Sequence, residues 1–263
     1  MNSNLQFAIQ LARDTGKLLF DFFNPDGSFT SLKEDFSVVT EADLSADQMI
    51  TESIHKSYPQ DALISEELQP KIGKAGSAVW IVDPLDGTTN FSLGLPIWGV
   101  SIARLVDGWP EIGVVYFPFF DELFSAARGA GAYLNGGQIH SQPPLPGQTT
   151  SFFSCCTRTY QQYEVKIRYK TRILGSACFS LCAVARGMAV VAFEATPKIW
   201  DIAAGWLIAT EAGAPIDTLD GPKPFPLEGN FDYRSRSFPV ICAANQDLLS
   251  KSKTQIKPKT LLS

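Results

Sequence analysis

Apolar residues recur at helical spacing from residue 4 to 23. Leu5, Ala8, Ala12, Leu19 and Phe22 gather near one face, so the stretch reads as an amphipathic helix with Ser3 as its expected cap. Asn24-Pro25-Asp26-Gly27 ends it. A short strand is predicted at Phe36–Val39, and Thr40-x-x-Asp43 opens a second helix to about Ser57 in the manner of a capping box. Ala62–Ile64 reads as a strand leading to Ser65-Glu66-Glu67. Val79-Trp80-Ile81-Val82 is a continuous apolar run, the pattern of a buried strand, and it enters Asp83-Pro84-Leu85-Asp86-Gly87-Thr88-Thr89 directly. From Ile97 to Ile139 the alternation and the turn signals at Asp107-Gly108, Gly129–Gly131 and Asn135-Gly136 predict an antiparallel meander. Beyond Ser141–Gly147, strands are expected at Ser151–Cys156, Met188–Glu194, Pro215–Asp217 and Phe238–Ala243. Helices are expected at Ser176–Arg186 and Ile199–Ala212, an α/β alternation. Residues 220–236 read as loop, and the polar tail from Lys251 as frayed.

The Pro-rich Ser141–Gly147 divides 1–145, an α+β domain, from 146–263, an α/β domain. With 45% apolar and 19% charged residues in 263, the chain has ample material for a core. A net charge of -5 does not suggest nucleic-acid or membrane-surface binding, and no apolar run approaches the ~18 residues of a membrane span. The N-terminal segment lacks the basic and apolar regions of a signal peptide, so a cytoplasmic location is expected. The 5 cysteines are odd in number and contain no CxxC, which fits buried thiols. Only 2 histidines occur, His55 in a polar helical stretch and His140 beside a Pro/Gly loop, and both read as ordinary surface residues. Chemistry in this chain would therefore rest on carboxylates.

Several nucleotide and nucleophile motifs are missing. No G-x-x-x-x-G-K-[ST] or G-x-S-x-G occurs, and Gly129-x-Gly131 lacks a third glycine. Leu85-Asp86-Gly87-Thr88 imitates an aspartyl-nucleophile loop, but that loop needs Asp-x-Asp-Gly-Thr and Pro84 stands where its first aspartate would be. What remains is acidic. Asp83 and Asp86 follow a buried strand, and the Leu85 carbonyl adds a neutral oxygen. Gly87 and the threonines would open a helix whose free amides suit a phosphate. Carboxylates beside such amides repel the anion unless a divalent cation sits between, and an all-oxygen donor set selects Mg²⁺ or Mn²⁺. Each element also has a plainer reading: Asp83 and Asp86 as turn braces, Glu66-Glu67 as a solvated pair, and Asp201 and Asp43 as helix-start acids.

Taken together and in order, Thr40-x-x-Asp43, Ser65-Glu66-Glu67, Trp80-Ile-Val-Asp83-Pro-Leu-Asp86-Gly-Thr-Thr-Asn-Phe91 and Trp200-Asp201-Ile-Ala-Ala-Gly205 resemble the inositol monophosphatase family of Mg²⁺-dependent, lithium-sensitive phosphatases. The resemblance runs from the first helix to about residue 247. It implies a mixed α+β or α/β fold, the layered α-β-α-β-α sandwich of sugar phosphatases, and a homodimer acting on a small phosphorylated metabolite. It also implies two or three Mg²⁺. Glu66, Asp83 and the Leu85 carbonyl match the ligands of the first ion, and Asp83, Asp86 and Asp201 those of the second. Glu66 also helps hold a third. Thr88 and Glu66 match the groups that orient the attacking water, with Asp43 supporting Thr88. Asp86, Gly87, Thr88 and Asp201 border the phosphate. Glu194 and the backbone at Gly175-Ser176-Ala177 match the contacts to the sugar ring, and Lys33 a lysine near the active site. Inositol-1-phosphate is the expected substrate. Histidinol phosphate or a broader set of sugar phosphates is the alternative, and a non-catalytic regulatory role the reading from a different class. Ser65 departs from the family's usual glycine, so a different backbone turn is expected there.

Overall fold

The computed structural model describes residues 2–24, 26, 31–32, 38–67, 78–144, 151–228 and 232–259. Lys33, residues 36–37 of the strand expected at Phe36–Val39 and residues 145–147 of the expected linker lie outside them. Helix α1 (Ser3–Phe22) begins one residue before the expected span. Its cap is Asn2 rather than Ser3, because the Asn2 side chain accepts the amides of Asn4 and Leu5. Strands β1 (Ser31–Leu32) and β2 (Val38–Val39) form a small ribbon. Helix α2 (Glu41–Ser57) starts with the expected capping box between Thr40 and Asp43.

The large sheet has 7 strands in the order β3-β4-β5-β6-β7-β8-β9. They are β3 (Ala62–Ser65), β4 (Val79–Asp86), β5 (Gly99–Val106), β6 (Trp109–Phe117), β7 (Glu122–Ala127), β8 (Ala132–Leu134) and β9 (Gly137–Ile139). Apart from the parallel β3–β4 pair it is the expected antiparallel meander. Asn135 and Gly136 both adopt positive φ, 49° and 81°, which turns β8 into β9 as a tight hairpin requires. The short helix α3 (Thr88–Ser92) follows β4.

The second sheet has 5 strands in the order β12-β10-β13-β15-β14. They are β10 (Phe152–Cys155), β12 (Lys170–Arg172), β13 (Ala189–Glu194), β14 (Ile216–Thr218) and β15 (Val240–Ala243). The β10 and β13 strands are parallel, so the chain must cross over between them, and α5 (Ala177–Ala185) lies in that connection. Helix α6 (Ile199–Glu211) follows β13. No sequence signal marked α4 (Thr157–Gln162), β11 (Tyr163–Val165) or β12. Up to residue 259 the tail is ordered rather than frayed. Residues 246–255 form α7 (Gln246–Gln255) with Asn245 as its cap. Then β16 (Ile256–Pro258) pairs with β11, and the Lys253 ammonium meets Asp217 at 2.6 Å. Tertiary anchoring of a polar helix, through Leu249, Ser252 and Ile256, overrides its weak hydrophobic pattern.

Successive strand residues feed alternate layers. Trp80 and Val82 of β4 pack with Ala8, Leu11, Ala46 and Ile50 of α1 and α2, whereas Ile81 faces α5 and α6. In β15, Val240 and Cys242 face the same α5–α6 layer, while Ile241 and Ala243 pack with Leu249 and Ile256. The order is therefore α1/α2, large sheet, α5/α6, second sheet, α7, the expected α-β-α-β-α sandwich. The 145/146 boundary falls between the two sheets, yet the largest buried cluster runs from Ile81 to Cys242 across it. The 5 cysteines are free thiols, 4 of them buried and Cys156 half-buried. No helix among the described residues is long and apolar enough to cross a membrane.

Candidate metal and phosphate site

The site begins with an irregularity in β4. Asp83 pairs with Ser101 and Asp86 with Gly99, so three steps on β4 oppose two on β5. In a regular strand, residues three apart point to opposite faces. The extra residue of this bulge puts both aspartates on the same cleft, and Pro84 fits there because it has no amide to donate to the ladder. The Leu85 amide donates to Asp83 Oδ1 at 3.0 Å and closes the bend. Gly87 then takes φ 94°, and a Cβ there would stand 2.9 Å from the Ile97 carbonyl oxygen, so only glycine serves.

One oxygen from each of Glu66, Asp83 and Asp201 lies within 4.8 Å of the others. Glu66 stands just past β3, held through backbone groups: its amide donates to Val82 O at 3.3 Å, and the Arg234 guanidinium donates to the Glu66 carbonyl at 2.9 Å. Asp201, in the first turn of α6, accepts the Lys198 amide at 2.7 Å. Burial pushes the Asp83 and Asp201 carboxyls well up from the usual range, and the charges of Glu66 and Asp86 push them further. A buried set of crowded carboxylates with only oxygen donors fits a hard divalent cation, which would relieve that repulsion.

Asp86 lines the same cleft but stands outside this group of three. Its carboxylate accepts the Ser176 hydroxyl and the amides of Ala177 at 3.2 Å and Cys178 at 2.9 Å, at the start of α5. Burial raises Asp86 to about 6, against the lowering effect of these three hydrogen bonds. Oδ2 takes two of these bonds and Oδ1 one, so Oδ1 keeps a lone pair and the tether does not exhaust the ligand capacity of the carboxylate. The Ser176 hydroxyl was not foreseen from sequence, since nothing local links residue 176 to residue 86.

Thr88 and Leu85 also line the cleft. The Thr88 hydroxyl lies 3.0 Å from both Asp43 Oδ1 and the Leu85 carbonyl oxygen. Asp43 itself is buried behind the cleft and raised by burial, while hydrogen bonds from Thr40 and Thr88 act to lower it. Ser65 ends β3 in regular register with Val82, and its hydroxyl donates to Asp47. Gly175, Ala177 and Glu194 complete the cleft, which encloses about 600 Å³. Asn90 ties its halves together, donating to the Ile97 and Leu174 carbonyls at 2.7 Å each. Glu194 ends β13, and burial raises it to about 8 although Ser180 and Cys156 donate toward it. Sequence reasoning missed Cys156, Thr157, Arg158, Thr196 and Pro197, which form the wall past Glu194. Neither histidine is among the described residues lining the cleft.

The fold and this cleft together define a layered α-β-α-β-α protein with a buried cluster of carboxylates whose donor chemistry fits a divalent cation. A sequence profile of the inositol monophosphatase family matches residues 1–257, and the chain belongs to that family. It is 39% identical over 241 residues to the Nus factor SuhB of Pasteurella multocida (strain Pm70), covering 88% of this chain and 90% of that one. It is 36% identical to the Nus factor SuhB of Escherichia coli (strain K12), with the same coverage. Among solved structures, the extragenic suppressor protein suhB of Bartonella henselae superposes with TM-score 0.81 at 28% identity, covering 97% of this chain and 98% of that one. The Thermotoga maritima IMPase superposes with TM-score 0.75, also at 28% identity, covering 95% and 96%.

Proposed function

We propose that this chain is a Mg²⁺-dependent phosphomonoesterase that hydrolyses inositol-1-phosphate by direct attack of water. The observation that carries the reading is the convergence of Glu66, Asp83 and Asp201 oxygens within 4.8 Å at the floor of a cleft that also holds Asp86, Thr88 and Glu194. When bound, divalent cations supply Lewis acidity that activates water and offsets the charge of the leaving oxygen. Glu66, Asp83, the Leu85 carbonyl, Asp86 and Asp201 would hold them. Asp43 and the Leu85 carbonyl accept, so the Thr88 proton is directed to one of them and the Thr88 oxygen is left free to accept a hydrogen bond from water and orient it. The Glu66 carboxylate is the second acceptor at the floor of the cleft. Glu194 stands farther along, where a carboxyl group reads substrate hydroxyls.

Phosphate release, measured with and without EDTA, tests the proposal on inositol-1-phosphate, histidinol phosphate and 3′-phosphoadenosine 5′-phosphate. Mg²⁺-dependent turnover, greatest on the inositol ester, is expected. Asp201→Asn should lower kcat by roughly 100-fold or more with an unchanged circular dichroism spectrum, as for loss of a preorganised electrostatic group. No release from any ester would reject the reading. The SuhB relatives favour a second reading, a role of the Nus-factor kind in which catalysis is dispensable. Under it, Asp201→Asn would leave that role intact.

A further inference from the structure

Of the three carboxylates that converge, Glu66 is the one outside any helix or strand. Asp83 is locked in the β4 bulge and Asp201 in the first turn of α6. Glu66 stands one residue past the end of β3, and its amide reaches Val82 O at 3.3 Å, just beyond the usual range for such bonds. The ladder therefore holds this residue weakly. Its carbonyl is taken instead by Arg234, whose Nη2 donates to Glu66 O at 2.9 Å and lies 3.5 Å from Ser65 O. Arg234 is half-buried and forms no ion pair among the described residues. Its guanidinium is thus directed at the backbone that carries Glu66 and not at a carboxylate.

Arg234 is itself fixed, because residues 232–238 form a strap anchored on several sides. The Asp232 carboxylate accepts the amides of Arg234 at 3.0 Å and Ser235 at 3.3 Å. Tyr233 is buried; its hydroxyl accepts the Glu228 amide at 2.6 Å, and its ring stacks on Phe238 with centroids 6.1 Å apart. The same strap grips the start of α6. Lys198 Nζ donates to Ser235 O at 3.2 Å, and the Phe238 amide donates to Pro197 O at 2.9 Å. Lys198 is also the residue whose amide donates to Asp201. One strap therefore joins the stretch that carries Glu66 to the helix that carries Asp201. Metal affinity depends on how firmly the donors are held, and groups that orient a ligand from behind commonly contribute roughly 10- to 100-fold. We infer that Arg234 is a positioning residue: by tying the Glu66 backbone to the 232–238 strap it sets where the Glu66 carboxylate stands relative to Asp83 and Asp201, and so the affinity of the cleft for Mg²⁺. This rests on the divalent-cation part of the proposed function, and not on turnover.

Mg²⁺ is titrated calorimetrically into the substrate-free wild-type, Arg234→Ala and Arg234→Lys proteins, and Tm is measured separately in EDTA. Arg234→Ala should raise the Kd for Mg²⁺ about tenfold, equivalent to about 1.4 kcal/mol, with little change of Tm in EDTA. Arg234→Lys, whose ammonium can reach one carbonyl but lacks the planar fork, should recover part of the affinity. In a phosphate-release assay, the Mg²⁺ concentration for half-maximal rate should rise by the same factor in Arg234→Ala, while kcat at saturating Mg²⁺ falls less than about threefold, the pattern of a binding rather than a chemical defect. A residue that merely braced a loop would lower Tm in EDTA and leave the Kd for Mg²⁺ of the folded protein unchanged, and that result would overturn the inference. Should Arg234→Ala not fold, Arg234→Gln, too short to span to Glu66 O, is titrated in its place with the same expectation. Arg234-dependent Mg²⁺ binding with no phosphate release from any ester would retain the inference and reject the phosphatase reading. Phosphate release in which Arg234→Ala needs no more Mg²⁺ than wild type would do the reverse.

Discussion

Glu194 shows how one residue's surroundings set its chemistry. It is only 5% exposed, and burial raises its carboxyl to about 8 from an ordinary 4.5. The folded protein therefore holds a proton there that the unfolded chain has already lost between these values, so folded stability falls as pH rises from about 4.5 through about 8. Glu194→Gln keeps the shape of the protonated form and removes the titration. Urea denaturation in EDTA should show the variant gaining on wild type as pH rises from about 5 to about 9. A pH-independent difference would mean that Glu194 is not held protonated. The motif-bearing acids were legible in the sequence because their strings are distinctive. The tether from the Ser176 hydroxyl to Asp86 was not, because its partner lies 90 residues away in the chain.

Elements place these residues through two departures from regularity. The β4 bulge turns Asp83 and Asp86 to one side, and the start of α5 receives Asp86 through Ser176 and two amides. The close approach of α6 to the large sheet does the same for Asp201. Gly113 of β6 faces Ala204 of α6, and a Cβ on Gly113 would stand 2.9 Å from the Ala204 carbonyl oxygen and 3.1 Å from its Cα. Backbone atoms in a helix cannot step aside cheaply. Gly113→Ala is therefore expected to cost about 1–3 kcal/mol of stability in urea denaturation, as overpacking does, and to weaken Mg²⁺ binding by displacing α6. A neutral substitution would show that the helix shifts freely. The meander and the long amphipathic helices were readable from period and turn residues. The short elements between 157 and 172 were not, because they are too brief to show a period, and α7 was hidden by its polar composition.

Across the whole molecule, the candidate cation site is a meeting of layers. Glu66 and Asp83 come from the large sheet and Asp201 from the helical layer, while Glu194 comes from the second sheet. Such a site does not exist in the unfolded chain, so a cation that binds it stabilises the fold. A Mg²⁺ titration should raise Tm. At a free concentration a hundred times Kd the gain is about 2.7 kcal/mol, or roughly 5–10 °C for a chain of this size. The rise should be larger near pH 8 than near pH 6, since the buried carboxyls must lose protons to bind metal. A Tm that ignores Mg²⁺ would count against an assembled site.

By itself the sequence determined the family, the two main helical layers, the meander and the identity of the acids, because each of these is written in local order: period, turn residues and contiguous strings. The tertiary structure alone decided which oxygens share a space, that Asp86 is tethered to α5 while three other carboxylates crowd together, and that residues 246–255 form a docked helix. These depend on distances between residues remote in the chain, and only the packing of layers sets such distances.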